Sequence, residues 1–143
     1  MVSDQVVRAE KACRGGCFCG EVRYEAAARP FDETGCHCAD CRRAVGAHVV
    51  AWFSVARSAL RYTSGSPTRF QSSAAVVRSF CGRCGTSLTY ESQDHPDEID
   101  ITIASLDDPD SVAPKDHTRT AAKVSWDVLC DNLPTFPGTR EGK

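Results

Sequence analysis

The chain has almost no surplus charge. Seventeen Lys and Arg stand against nineteen Asp and Glu, a formal net charge of −2. The basic residues are scattered, so the field that draws a protein onto nucleic acid is missing, and no nucleic-acid partner is expected. Long apolar runs are missing too. The longest, "AVGAHVVAWF" (44–53), contains His48 and falls far short of the about 20 residues that a membrane span requires. The opening "MVSDQVVRAEKACRG" carries Asp4 and Glu10 where a secretory leader would have an apolar stretch. The sequence therefore predicts a soluble, cytoplasmic protein without a membrane partner. No repeat, linker or low-complexity segment divides the 143 residues, which predicts one domain over 1–143 with an irregular tail from about Pro134.

Helical periodicity is nearly absent, and strand signals take its place. "GEVRYEA" alternates Val22 and Tyr24 with charged neighbours, and "EIDITIASL" puts Ile99, Ile101 and Ile103 on one face. "HVVAWFSV" reads as a more buried strand, and "ALRYTS", "TRFQSS", "VVRSF" and "SLTYES" follow between turn residues. About seven short strands predict an all-β fold. Short helices are expected only at "ADCRRAVG" and "SLDDPDSV", the latter capped by Asp107 or Asp108.

What the chain has in excess is cysteine, nine in all. Without a leader, short cysteine spacings indicate a shared metal ion more than disulfides. Cys17 and Cys19, in "GGCFCGEV", share a face if the segment is extended. Cys81 and Cys84, in "FCGRCGTSL", form a C-x-x-C turn with a glycine after each cysteine, which permits the tight backbone of a metal knuckle. Together these four suit a closed, structural zinc site.

Cys36, Cys38 and Cys41, in "GCHCADCRR", make a second group that is one ligand short. Cys13, Cys130, His48, His95 or His117 can complete it, or the fourth position stays open for water or substrate, as in catalytic zinc sites. Three thiolates on a divalent zinc carry a net charge of −1, which makes a weak Lewis acid poorly suited to generating hydroxide. Such a centre is better suited to holding an added thiol as its thiolate. Carbon–sulfur chemistry fits it better than hydrolysis.

In order along the chain, "GGCFCGEVRYE", "CHCADCRR", "RSFCGRCGTSLTYES", "DEIDITIASLDDP" and "VSWDVLCDNLPTF" resemble the glutathione-dependent formaldehyde-activating enzyme family, which includes centromere protein V. The resemblance covers about Cys13 to Phe136. It implies an all-β, Mss4-like fold of twisted antiparallel sheets with zinc knuckles, and two zinc ions per chain. It implies that Cys17, Cys19, Cys81 and Cys84 form the structural site. It implies that Cys36, Cys38 and Cys41 form a catalytic site with an open position. The reaction implied is the joining of a small thiol such as glutathione to formaldehyde or another small aldehyde, a carbon–sulfur lyase or synthase activity.

Around these groups, Arg42 and Arg43 are candidates for a substrate carboxylate, with charge compensation or surface pairing as the plainer roles. His48 is a candidate proton donor or a hydrogen-bonded core histidine, and His117 is expected in a loop. Trp52, Phe53 and Trp126 line a pocket or fill the core. His37 is expected to point away from the ligands on either side of it. Two other functions compete: a zinc-stabilised protein-binding module with both sites closed, and a zinc-containing methionine sulfoxide reductase, which needs a redox-active cysteine outside the metal sites.

Overall fold

The computed structural model describes residues 12–140. Most of the segment read above for a leader lies outside that range. In chain order the strands are β1 (Cys13–Gly16), β2 (Arg23–Ala26), β3 (Phe31–Cys36), β4 (Val50–Ala56), β5 (Leu60–Ser64), β6 (Thr68–Gln71), β7 (Val76–Phe80), β8 (Ser87–Ser92), β9 (Glu98–Thr102) and β10 (Asp116–Thr118). Among the described residues one α-helix, α1 (Ala39–Val45), separates β3 from β4. A three-stranded sheet runs β1-β2-β5, and a seven-stranded sheet runs β10-β3-β4-β9-β8-β7-β6. Every pairing is antiparallel except β10 with β3. The fold is all-β, as expected.

The two sheets close on one core. Tyr24 and Ala26 of β2, with Val22 just before it, pack against Phe53, Val55, Leu88, Ile99 and Ile101 of the large sheet. Each such burial stabilises by about 1.5–3 kcal/mol. Period-two alternation sends the other face of β4 and β9 outward, and that face carries Trp52, Ser54 and Asp100. A register shift opposite Ser79 and Phe80 inserts one extra residue into β8, so Leu88 and Thr89 are both fully buried.

Local expectations differ from the structure in several places. β1 carries no apolar pattern because it works by close approach. A Cβ on Gly15 would overlap the carbonyl oxygen of Ser105 and the hydroxyl of Tyr24, and one on Gly16 the carbonyl oxygen of Val22. His48 is not in the buried strand, which begins at Val50; it is exposed in the bend after α1. His117 is not in a loop but in β10, where it is buried. "SLDDPDSV" yields only single turns of 3-10 helix, and neither aspartate caps one through its side chain. Asp107 instead forms a fork with Arg23, one oxygen accepting at 2.9 Å.

Candidate functional site

The Cys17–Cys19 pair sits in a tight turn, not in extended chain. The Gly20 amide donates to the Cys17 carbonyl, and Gly20 itself has φ of 83°. Across from it, the turn after β7 is closed by Gly85 N–H to Cys81 O at 2.8 Å, with Gly85 at φ 86°. Both are left-handed positions that glycine adopts without strain. The amide of Val22 donates to Cys17 Sγ at 3.2 Å and that of Cys84 to Cys81 Sγ at 3.5 Å. The Phe18 amide reaches Thr86 Oγ1 at 3.0 Å, pinning one turn to the other. The four sulfurs all lie within 4.8 Å of one another. Cys17–Cys19 and Cys19–Cys81 are 3.6 and 3.8 Å apart, and sulfurs about 2.3 Å from a shared tetrahedral ion stand about 3.8 Å apart. The donor set and its spacing fit a metal. Thr86, the largest cause, pulls the Cys84 thiol down to about 5.

The second group forms where β3 runs into α1. Cys36 ends the strand and Cys38 is the helix N-cap, its sulfur accepting from Cys41 N–H at 3.2 Å. Asp40 lies in the first turn, and Gly46, at φ 77°, ends the helix by donating to Arg42 O. Cys36 and Cys41 sulfurs are 3.7 Å apart, and all three fall within 4.8 Å of one another. Donation to Cys38 and to Cys41 pushes the Cys36 thiol far above its ordinary value. The Cys38 sulfur, accepting from those two thiols and from the amides of Cys41 and Asp40, is held far below it. Three sulfurs this close cannot all be thiolates without a cation among them. This set also fits a metal of thiolate preference.

Two cysteine groups can therefore hold metal ions, and they differ in number. Among the described residues no Cys, His, Asp or Glu atom joins the second group as a fourth member. Cys13 packs half-buried against the core, and Cys130 is exposed. His117 is engaged elsewhere, its ring bonded to His37 and Asp131.

The three-cysteine group lies in the wall of a cleft of roughly 1090 Å³ on the outer face of the large sheet. Sequence reasoning missed two of its residues. Arg78, 9% exposed in β7, donates from both terminal nitrogens to Cys41 Sγ, at 3.8 and 3.7 Å. Its guanidinium lies 5.0 Å from the ring centre of Tyr90, its register partner on β8. Burial, then the charge of Asp100, raises the Tyr90 pKa, so the phenol keeps its proton. Trp52 packs on Tyr90 at 6.1 Å, and Ser54 donates to Asp100 at 2.6 Å. The signal for Arg78 was an arginine inside the strand "VVRSF", which pattern reading treats as an outward residue.

Behind the group, His37 is fully buried with its ring turned from the cleft, and Nε2 meets His117 Nδ1 at 2.9 Å. His117 Nε2 meets Asp131 Oδ2 at 2.7 Å. The carboxylate can only accept, so the proton in that bond sits on His117 Nε2. Burial, then His117, lowers the His37 pKa. This chain braces the C-x-C loop from below. Gly35 makes room for it, since a Cβ there would lie 3.1 Å from His117 Nδ1.

The remaining candidates separate. Arg43 lines the cleft. Arg42 does not; it donates to the carbonyls of His37 at 3.0 Å and Ala122 at 2.5 Å, tying the loop to the chain that wraps it. His48 stacks on Trp126 at 4.9 Å and faces Asp127 at 3.6 Å. Trp52 lines the cleft, Phe53 is core, and Trp126 is exposed.

The family model of the glutathione-dependent formaldehyde-activating enzyme matches residues 12–122, which contain both cysteine groups and Arg78. The chain belongs to this family. The family match ends before Asp127 and Asp131, which back the three-cysteine loop. A solved Rhodobacter sphaeroides protein, a structural-genomics target, is similar to this family member at a TM-score of 0.55 and 29% identity, over 66% of this chain and 87% of that one. A comparison with curated proteins finds no match. No helix among the described residues is long and apolar enough to cross a membrane.

Proposed function

We propose that this protein is a zinc-dependent carbon–sulfur lyase or synthase that joins a small thiol, such as glutathione, to formaldehyde or another small aldehyde. The observation that carries this reading is the difference between the two cysteine groups: four sulfurs in one, three at the cleft in the other. Cys17, Cys19, Cys81 and Cys84 would hold a structural zinc. Cys36, Cys38 and Cys41 would hold a second, and zinc there favours the thiolate form of an added thiol.

The reaction balances simply. The sulfur lone pair forms the S–C bond, the carbonyl π pair moves to oxygen, and that oxygen takes up the proton the thiol has lost. The chain's residues supply position and polarity. Trp52 and Tyr90 give the cleft flat apolar walls, and Arg43 at its rim offers a fork to a substrate carboxylate. Tyr90 lines the cleft, and its protonated hydroxyl would serve as donor to the oxygen as charge develops on it. Holding both reactants beside one another is the larger part of the effect, since the addition also proceeds in water. Arg42 and His48 act on the loop and its wrapping segment in this account, and Arg43 alone of the three meets substrate.

The test is the exchange rate between free ¹³C-formaldehyde and its glutathione adduct, followed by NMR. Metal-loaded protein should accelerate exchange over buffer, and Cys38→Ser at matched structural-metal content should not. Equal rates for the two proteins would remove the three-cysteine group from the chemistry.

A further inference from the structure

We infer that Arg78 sets the ligand preference of the three-cysteine centre, making its fourth position favour an anionic thiolate over a neutral ligand. The inference rests on the open-centre reading above. Its starting point is the contrast between the two groups. Sulfurs of the four-cysteine group are hydrogen-bonded by the amides of Val22 and Cys84 and by the Thr86 hydroxyl, all of them neutral. Arg78 is the one cation among the described residues that hydrogen-bonds a sulfur of either group.

Charge explains why one group has a cation and the other does not. A divalent ion with three thiolates is already −1, and a fourth thiolate would take it to −2. A closed structural site forms that charge once, on folding. An open site must meet it every time a thiol arrives, in competition with neutral water. The guanidinium brings the sum with a thiolate bound back to −1, in a buried place where charge is weakly screened. It stays put because Tyr90 fixes it twice: β-pairing sets Arg78 against Tyr90, and the ring face lies 5.0 Å from the guanidinium carbon. Trp52 in turn supports Tyr90. Arginine charge is permanent at any workable pH, so the preference does not depend on a titration.

Cobalt(II)-loaded protein reads this directly, because sulfur-to-cobalt charge-transfer and ligand-field bands report each sulfur and the coordination number. The probes are 2-mercaptoethanol, which binds as an anion, and imidazole, which binds neutral. Arg78→Met should weaken 2-mercaptoethanol binding by about ten- to a hundredfold and change imidazole binding by no more than about twofold, with Arg78→Lys in between. Should Arg78→Met not fold, Arg78→Gln keeps a polar contact without the charge and carries the same comparison. Unchanged thiol affinity in the variant, or equal loss of both probes, would overturn the inference. If thiol leaves the wild-type spectrum unaltered, the open-centre reading fails and takes the inference with it. A responsive wild type beside an equally responsive variant defeats the role of Arg78 alone.

Discussion

Replacing Cys84 by serine measures how far the fold rests on the four-sulfur group. Two of its other cysteines, Cys17 and Cys81, are 7% and 0% exposed and belong to the same core cluster as Phe53 and Val55. Through them the group ties the turn between β1 and β2 to the turn between β7 and β8. A structural zinc contributes about 10–16 kcal/mol of apparent binding free energy, and a domain nets only about 5–15 kcal/mol. A zinc held there would thus contribute an amount comparable to the whole stability. Serine deprotonates poorly and its oxygen is shorter on the chain, so losing even a third of that term costs about 3–5 kcal/mol. For a chain of this size that is a fall in Tm of about 10–15 °C. Cys38→Ser is the control. Its group belongs to a smaller apolar cluster, with Val50, Trp52 and a few half-buried neighbours, so it should lose one metal and melt within about 5 °C of wild type. Metal content by mass spectrometry and melting by circular dichroism check both variants. A Cys84→Ser protein that melts like wild type and keeps two metals per chain would refute the assignment of the structural site.

Other substitutions probe the frame around the site. Gly15→Ala should destabilise by about 1–3 kcal/mol in urea unfolding, because its methyl must displace the Ser105 carbonyl and the Tyr24 ring; wild-type stability would contradict that close approach. Tyr24→Phe should cost about 1 kcal/mol. The Ser105 hydroxyl already donates to Thr102 O at 2.8 Å, so the phenol, 2.7 Å away, is the donor to Ser105 that the variant removes. His117 holds the Asp131 carboxyl below its ordinary 3.8. Its folded value being the lower one, the stability it contributes is present above about pH 3.8 and is lost as pH falls through the folded value. Asp131→Asn should therefore flatten that part of the acid unfolding curve, and an unchanged curve would mean the pairing does not form.

The strands that alternate were legible because they have one face in the core. β4 and β9 show it plainly, with Phe53, Val55, Ile99 and Ile101 inward. β1, β3 and β10 carry no such signal. β1 substitutes glycine for side chains so that backbone can approach backbone. β3 is "FDETGC", with Asp32 at φ 52° and an irregular register between Phe31 and Thr34. β10 is three residues long and pairs parallel to β3, a partner 82 positions away. The cysteine groups were legible because ligands of one ion cluster in sequence, although Cys17 and Cys19 converge through a turn where extended chain was expected. Arg78 and Tyr90 were not legible: what distinguishes them is their position on the outward face of adjacent strands beside Cys41, and that requires the register. His117 and Asp131 likewise reach His37 only through the β10 pairing and the tail that follows it.

In the proposed reading one centre is closed by protein and the other is open to a thiol. X-ray absorption on separately populated sites tests it most directly: wild type loaded with zinc, and Cys38→Ser holding zinc at the structural site alone, each with and without glutathione. Four sulfurs are expected around the structural metal in every sample. Three sulfurs and one lighter atom are expected at the Cys36–Cys38–Cys41 centre, rising to four sulfurs when glutathione is added. Four protein ligands at both centres, with no change on adding thiol, would contradict it.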